Sequence, residues 1–330
     1  MSTVSATALT LDLEEDPFVP PVPQTIEQAG LSPSQVEQLI LKILYFGDDI
    51  VGRDLAGALG LKFSLIDGIL EFLKRHHLVE VKRSSGFGNV SGVFALSEAG
   101  RDRAREFLEV NQYSGSAPVP IDQYTSAARA QRSKEGWLNK DNLAAACQHM
   151  VVDELNFNKI GPAVNNGKSF LIYGLPGNGK TYLAEALVNL ARSYIYVPYA
   201  VEYQGSIIQM FDPVYHKRVE ENGDTHSTLA FEPQYDGRWV RCRRPFIVTG
   251  GELTLEMLDL SYNPSAKVYD APFQIKANNG IYLIDDFGRQ KVSPAALLNR
   301  WIIPMDRRVD YLTFQTGGKV AVPFETFLIF

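Results

Sequence analysis

Eight consecutive residues, Gly174-Leu175-Pro176-Gly177-Asn178-Gly179-Lys180-Thr181, carry the spacing G-x-x-x-x-G-K-[ST]. Glycines at 174, 177 and 179 let a backbone curl until its N–H groups converge on an anion. Lys180 is placed to reach the outer phosphates of a polyphosphate, and the Thr181 hydroxyl suits a hard divalent cation. About a hundred residues later, Asp285-Asp286 follows directly on the apolar run Ile281-Tyr-Leu-Ile284. The first acid is suited to hold a cation, usually through water. The second is suited to orient and deprotonate an attacking water. Together the two clusters predict phosphoanhydride chemistry with a divalent metal, with Lys180 and Asp286 as the catalytic pair and Thr181 and Asp285 as the metal pair.

These side chains need a scaffold, and the flanking residues supply one. Ser169-Phe-Leu-Ile-Tyr173 is a short strand-like run entering the glycine-rich loop. From Tyr182 to Ala191 the apolar residues recur at helical spacing. The loop therefore joins a strand to a helix N-terminus, where free N–H groups and the helix dipole attract phosphate. Ile281–Ile284 is a buried-strand signal that delivers the two acids. Tyr194-Ile-Tyr-Val-Pro198 reads as the second strand, which leaves more than eighty residues before Ile281. Aromatic and basic residues cluster in that stretch (Phe211, Tyr215, Trp239, Arg241, Arg243, Arg244), which is either a specificity element or a packed β excursion. Gly250–Leu260 within it reads as a helix. Asp286-Phe287-Gly288 also spells the kinase metal-binding triplet, but no H-R-D-x-x-x-x-N stretch and no G-x-G-x-x-G loop precede it.

The rest of the composition narrows the class. At 330 residues and 45% apolar, the chain is long enough for about two domains with sizeable cores. No apolar run approaches the ~18–20 residues that span a bilayer. Met1–Thr10 lacks the basic start and apolar core of a secretory signal. The two cysteines, Cys147 and Cys242, stand far apart without metal-ligand spacing, which predicts reduced thiols, no structural zinc and a cytoplasmic location. A net charge of −6 argues against a general nucleic-acid coat.

Residues 1–30, with Asp12, Glu14, Glu15 and Asp16 ahead of four prolines, read as a disordered acidic leader. Ser32-Pro33-Ser34-Gln35 opens a helix with a capping box. Helices at roughly 51–59 and 63–76 follow, then an alternating strand at 78–83, a glycine-rich tip, a returning strand at 92–96 and a charged helix at 98–108. This order resembles a small α+β winged-helix domain over residues 31–110. Such domains read DNA or dock proteins. Ten Lys/Arg against eleven Asp/Glu between Gln35 and Glu109, with Asp67 and Glu71 on the third helix, favour protein docking or an intramolecular role over DNA. Lys74, Arg75, Lys82 and Arg83 are the modest basic cluster a DNA site would need. Residues 111–135, Asn-Gln-Tyr-Ser-Gly-Ser-Ala-Pro-Val-Pro and then a polar helix-like run, read as a linker, and a catalytic core begins near 136.

Over about residues 160–330 the chain resembles the AAA+ ATPases, especially the MoxR-like and magnesium-chelatase-like branch. The similarity rests on Ile284-Asp-Asp-Phe-Gly-Arg-Gln290, the helix-like Ser293–Ile302, Val309–Phe314, a Thr316–Lys319 turn and the apolar Val320–Phe330. It implies an α/β fold in three layers, a parallel sheet flanked by helices, over 136–330. It implies ATP and Mg²⁺ as ligands, residues 174–181 and Tyr182 around the phosphates, and a homo-oligomeric ring. Ile160 and Gly161 stand where many such ATPases pack the adenine; an ordinary helix end capped by Gly161 is the alternative. Arg289, Arg300, Arg307 and Arg308 are candidates for contacts across a ring, although Arg307-Arg308 reads first as a solvated pair after Pro304. Asp286 departs from the family's usual glutamate by one methylene, which predicts slow hydrolysis or a shifted water. Phe330 falls ahead of the expected sensor-1 residue, arginine finger and helical lid, which implies a truncated core. Three functions are consistent with this pattern: ATP-driven remodelling of a protein partner, a DNA-acting ATPase such as a transcription regulator, and a nucleotide-gated switch with little turnover.

Overall fold

The computed structural model describes residues 18–84, 88–132, 154–165, 169–174, 177, 179–190, 194–219 and 234–330. Helix α1 (Pro33–Gly47) starts where the capping signal places it. The Ser32 hydroxyl accepts from the Gln35 N–H at 3.2 Å, and the Gln35 side chain accepts from the Ser32 N–H at 2.8 Å. Then come β1 (Ile50–Val51), α2 (Gly52–Leu59), α3 (Phe63–Arg75), β2 (Val79–Ser84), β3 (Gly92–Leu96) and α4 (Glu98–Val110). The strands form an antiparallel sheet in the order β1-β3-β2. Ile40, Leu44, Leu55, Ile66, Leu70 and Phe94 are wholly buried between helices and sheet. Burial of each contributes about 1.5–3 kcal/mol, so the apolar spacing of α1 to α3 is enough to hold this unit together.

Residues 111–132 are not the linker that their composition suggests. They contain β4 (Val119–Pro120) and α5 (Ile121–Ala130), whose Tyr124, Ala127 and Ala128 are buried. Small residues at helical spacing let this polar-looking helix lie close against a sheet. The part of the leader that is described is also built in. Ala29 is fully buried, the Asp236 N–H donates to the Pro20 carbonyl at 3.0 Å, and Phe18 meets the edge of Trp239. The rest of the leader, residues 1–17, lies outside the described residues.

Two helices follow, α6 (Glu154–Asn165) and α7 (Lys180–Leu190). The chain then lays down β5 (Tyr194–Pro198), β6 (Ala200–Tyr203), β7 (Ser206–Gln209), β8 (Trp239–Arg243) and β9 (Phe246–Thr249). Next are β10 (Ser261–Asn263), β11 (Val268–Asp270), α8 (Phe273–Lys276), β12 (Ile281–Ile284) and α9 (Pro294–Arg307). The described chain ends with β13 (Val309–Thr313), β14 (Lys319–Pro323) and β15 (Phe327–Ile329). A central sheet has the order β10-β11-β7-β6-β4, and β13 and β14 form the hairpin expected around the Thr316–Lys319 turn.

The sheet that carries the acids is parallel, in the order β15-β12-β9. Phe170 extends it by a parallel bridge to Ile329, and the Ile172 N–H donates to the Phe330 carbonyl at 2.8 Å. Alternate residues of β12 face opposite ways, as strand geometry requires. Ile281 and Leu283 pack with Val164 of α6 and Ala184 and Leu187 of α7, while Tyr282 and Ile284 pack with Leu297 and Trp301 of α9. The protein is thus mixed α/β, with helices on both faces of a parallel sheet.

Tyr194–Pro198 is a strand, as its apolar run predicts; β5 pairs antiparallel with β8, while β9 is the parallel neighbour of the acid-bearing β12. One expectation about the long excursion fails. Gly250–Leu260 is not a helix but a bend followed by a single 3₁₀ turn at Glu256–Leu258. The Glu252 carboxylate accepts from the Gly250 N–H at 2.9 Å, a local bond that competes with helix formation beside two glycines.

The N-terminal unit and the central sheet share one seam. The Ala117 N–H donates to the Leu59 carbonyl at 2.9 Å, and the Gln112 N–H to Ala266 at 2.8 Å. Gly60, left-handed at φ 67°, approaches so closely that a Cβ there would lie 2.7 Å from the Gly237 backbone. Arg238, 1% exposed, fastens the seam by bonding Asp236, the Ala29 carbonyl and the Pro118 carbonyl.

Candidate functional site

The glycine-rich loop lies between the Phe170 edge of the parallel sheet and the first turn of α7. Gly177 and Gly179 take φ of 85° and 71°, the left-handed turn that lets α7 begin at Lys180. The Leu183 N–H closes the first helical bond on the Gly179 carbonyl at 2.9 Å. Lys180 folds back, its Nζ donating to the Gly174 carbonyl at 3.2 Å. Leu175, Pro176 and Asn178 lie outside the described residues.

Thr181 and Asp285, 104 residues apart, stand side by side: Thr181 Oγ1 donates to Asp285 Oδ2 at 3.1 Å. Two constraints produce this contact. Thr181 sits on the first turn of α7, which packs through Ala184 and Leu187 on β12. Asp285 leaves β12 in register, its N–H donating to the Thr249 carbonyl of β9 at 2.8 Å. The other carboxylate oxygen, Oδ1, accepts from the Asp286 N–H at 2.9 Å, so both oxygens of Asp285 are oriented. The strand β15 lies between the Phe170 edge and β12, so the loop and the acids come from strands that are not adjacent.

Asp286 is exposed and takes a left-handed φ of 50°. Its carboxylate lies 3.6 Å from Arg289 Nη1. Gln290, buried and not singled out from the sequence, shapes this turn. Its Nε2 donates to the Asp285 and Asp286 carbonyls at 2.7 and 3.2 Å, and its Oε1 accepts from the Gly288 N–H at 2.7 Å. Only its position four residues after a strand-ending acid pair could have marked it. A second polar contact borders the site, between the Thr249 hydroxyl and the Tyr282 phenol at 2.9 Å; burial pushes that phenol's pKa up.

The remaining candidates divide. Tyr182 is exposed on α7. Ile160 is buried and packs with Val164, Ala184 and Leu187 in the core, and α6 continues through Gly161 to Asn165, so Gly161 does not cap it. Among the arginines, Arg300 is held inside the chain by Asp310, at 2.7 and 3.0 Å, and by the Leu258 carbonyl. Arg308 closes α9 in a half-buried left-handed position, while Arg289 and Arg307 are exposed.

A hydroxyl and a carboxylate at hydrogen-bond distance are hard oxygen donors, a set that suits Mg²⁺ better than softer metals. Among the described residues no group of three or more His, Cys, Asp or Glu could form a protein cage for a metal. A cation held by two protein oxygens would complete its shell from water or from ligand oxygens.

On the N-terminal unit the basic cluster is largely engaged. Lys74 pairs with Glu71 at 2.8 Å and Lys82 with Asp49 at 2.7 Å. Asn89 donates to both Asp67 and Glu71 on α3, and with Lys74 it holds the Glu71 carboxyl below its usual range. Among the described residues no helix is long and apolar enough to cross a membrane. No family model and no curated protein sequence matches the chain.

Proposed function

We propose that this chain binds ATP with Mg²⁺ at the loop 174–181 and hydrolyses it, as an AAA+ ATPase that remodels a protein partner in the cytoplasm, assembled as a homo-oligomeric ring. The observation that carries the reading is the 3.1 Å contact between Thr181 and Asp285, delivered by non-adjacent parallel strands. Mg²⁺, when bound, would supply charge neutralisation for the phosphates. Loop N–H groups and the α7 N-terminus cradle the phosphates, and Lys180 exchanges its bond to Gly174 for the outer phosphate oxygens. Thr181 and Asp285 together hold the cation, directly and through water. Asp286 orients the attacking water and accepts its proton.

Mg²⁺-dependent phosphate release from ATP tests this reading. Turnover by the wild type that Lys180→Ala reduces by a hundredfold or more is expected. Equal turnover in Lys180→Ala, or no ATP binding by the wild type, would overturn it.

A second reading, a nucleotide-gated switch with little turnover, is favoured by one observation: Asp286 is exposed and its carboxylate faces Arg289 at 3.6 Å. Tight Mg²⁺-dependent ATP binding without phosphate release would select it. The DNA-acting alternative is weakened by the acid and asparagine partners of Lys74 and Lys82; salt-dependent DNA binding lost on changing Lys74, Arg75, Lys82 and Arg83 would restore it.

A further inference from the structure

The segment that follows β7 is fastened to the end of α8 by one buried histidine. His216 is 1% exposed, and both of its ring nitrogens are engaged. The Asp212 N–H donates to Nδ1 at 2.9 Å, and Nε2 lies 2.8 Å from the Lys276 carbonyl. A backbone N–H can only donate and a carbonyl can only accept, so Nδ1 is the acceptor and the single proton sits on Nε2. One neutral tautomer alone satisfies both neighbours. The Phe211 ring stacks on the imidazole at 5.7 Å. Beyond His216 the chain pairs with β8: the Val219 N–H donates to the Arg241 carbonyl at 3.0 Å, and the Arg243 N–H to the Lys217 carbonyl at 3.1 Å.

Charging this ring would undo the arrangement in two ways. A proton on Nδ1 would set one N–H against another and break the bond to Asp212. The new cation would also be buried where the nearby carboxylate is already committed. On its own segment that carboxylate is Asp212, whose Oδ2 accepts from Lys276 Nζ at 2.8 Å and whose Oδ1 accepts from the Val214 N–H at 3.0 Å. Lys217, the next residue, is exposed. From α8 the facing group is the Lys276 ammonium, a like charge. From α5 and β5 come the neutral phenols of Tyr124 and Tyr196, which line a cavity of about 10 Å³ beside the ring. That is room for one water at most, so no anion can follow the proton in. Burial is the largest cause of an imidazole pKa lowered from 6.5; the Lys276 charge adds to it, and the Lys276 carbonyl and Asp212 oppose it.

We propose that His216 is an acid-released latch: while neutral it holds residues 211–219 on α8, and protonation frees that segment from α8 and from its pairing with β8. The device goes beyond the ATP reading and does not depend on it. The open segment binds the proton at the ordinary imidazole value, and the closed one binds it more weakly. Opening therefore grows as pH falls below 6.5, by up to about tenfold per pH unit. Against burial, the bonds from Lys276 and Val214 hold the Asp212 carboxyl below its usual range, so the ion pair stays charged through that window and His216 is the group that titrates.

Hydrogen–deuterium exchange of the whole chain, pulse-labelled after incubation at pH 7.5, 6.5 and 5.5 and read by mass spectrometry, tests the latch. After correction for intrinsic exchange, peptides spanning 211–219 should lose up to about tenfold in protection between pH 6.5 and 5.5, while peptides from α1 and α3 keep theirs. His216→Gln retains a donor for the Lys276 carbonyl and His216→Asn an acceptor for the Asp212 N–H, and neither titrates. In both, protection of 211–219 should be the same at pH 6.5 and 5.5, whatever its level. ¹⁵N spectra of the wild type at pH 7.5 should show His216 neutral with its proton on Nε2. Four results would overturn the proposal: wild-type protection of 211–219 unchanged by acid; the same acid-induced loss in both variants; parallel loss in every peptide, which would mark global unfolding; or a proton on Nδ1 at pH 7.5. Thermal unfolding identifies a variant that has lost its fold, and the wild-type pH series and ¹⁵N spectra then decide.

Discussion

Replacing Thr181 by valine keeps the shape of the side chain and removes only the hydroxyl that faces Asp285 at 3.1 Å. A hydrogen bond to a charged group contributes about 1.5–3 kcal/mol, and 1.4 kcal/mol is a factor of ten. If Thr181 and Asp285 share a cation, Thr181→Val should remove roughly a ten- to hundredfold enhancement of ATP affinity by Mg²⁺. Asp285 is only partly buried, which favours the lower part of that range. Affinity in EDTA should hardly change, because Lys180 and the loop N–H groups contact phosphate without the metal. Asp285→Asn should show the same pattern. Both act through one ion, so the double variant should lose little more than the worse single. Titration of a fluorescent ATP analogue with and without Mg²⁺ reads all four proteins. An Mg²⁺ enhancement preserved in both single variants, or strictly additive losses, would refute a shared metal site.

Other outcomes follow from the same geometry. Asp286→Asn should suppress phosphate release while leaving Mg²⁺-ATP binding intact, and Arg289→Ala, which frees Asp286 from its 3.6 Å ion pair, should not lower turnover; quenched-flow phosphate assays distinguish the two. Asp236→Ala strands the buried Arg238 guanidinium at the seam and should cost about 3–5 kcal/mol, read by denaturant unfolding. Lys42 is buried, with Nζ donating to the Asn111 carbonyl and side chain at 2.8 Å, and desolvation lowers its pKa from 10.5 to about 8. The unfolded chain therefore binds more protons between pH 8 and 10.5, and this group makes stability rise with pH across that window. Lys42→Met should abolish that rise in unfolding free energy measured from pH 7.5 to 10.

The elements with strong local signals were readable in the chain. Ser32 and Gln35 form the predicted capping box, α1 to α4 start and stop near their expected ends, and the Thr316–Lys319 turn makes its hairpin. Each depends on neighbours within a few residues, which fix backbone angles and one apolar face. The failures involve long-range choice. Residues 111–132 looked like a linker because their apolar content is low, yet β4 finds a parallel partner in β6 and α5 buries small residues. Gly250–Leu260 looked helical from its apolar spacing, yet two glycines and the Glu252 bond to the Gly250 N–H leave it a bend and a single 3₁₀ turn. Gln290 was invisible because a buried glutamine signals nothing until the turn it bonds is known.

The sequence by itself determined which groups could do chemistry: three glycines, a lysine and a threonine at one spacing, and two acids behind an apolar strand. Spacing along a chain fixes local geometry, so the loop and its helix were already implied. Only the tertiary structure decided that Thr181 and Asp285 touch, because their distance depends on the register of α7 against β12 and on β15 lying between their strands. It alone also decided that Asp286 faces Arg289. Those are contacts among segments distant in sequence, set by which apolar faces and strand edges can be satisfied together.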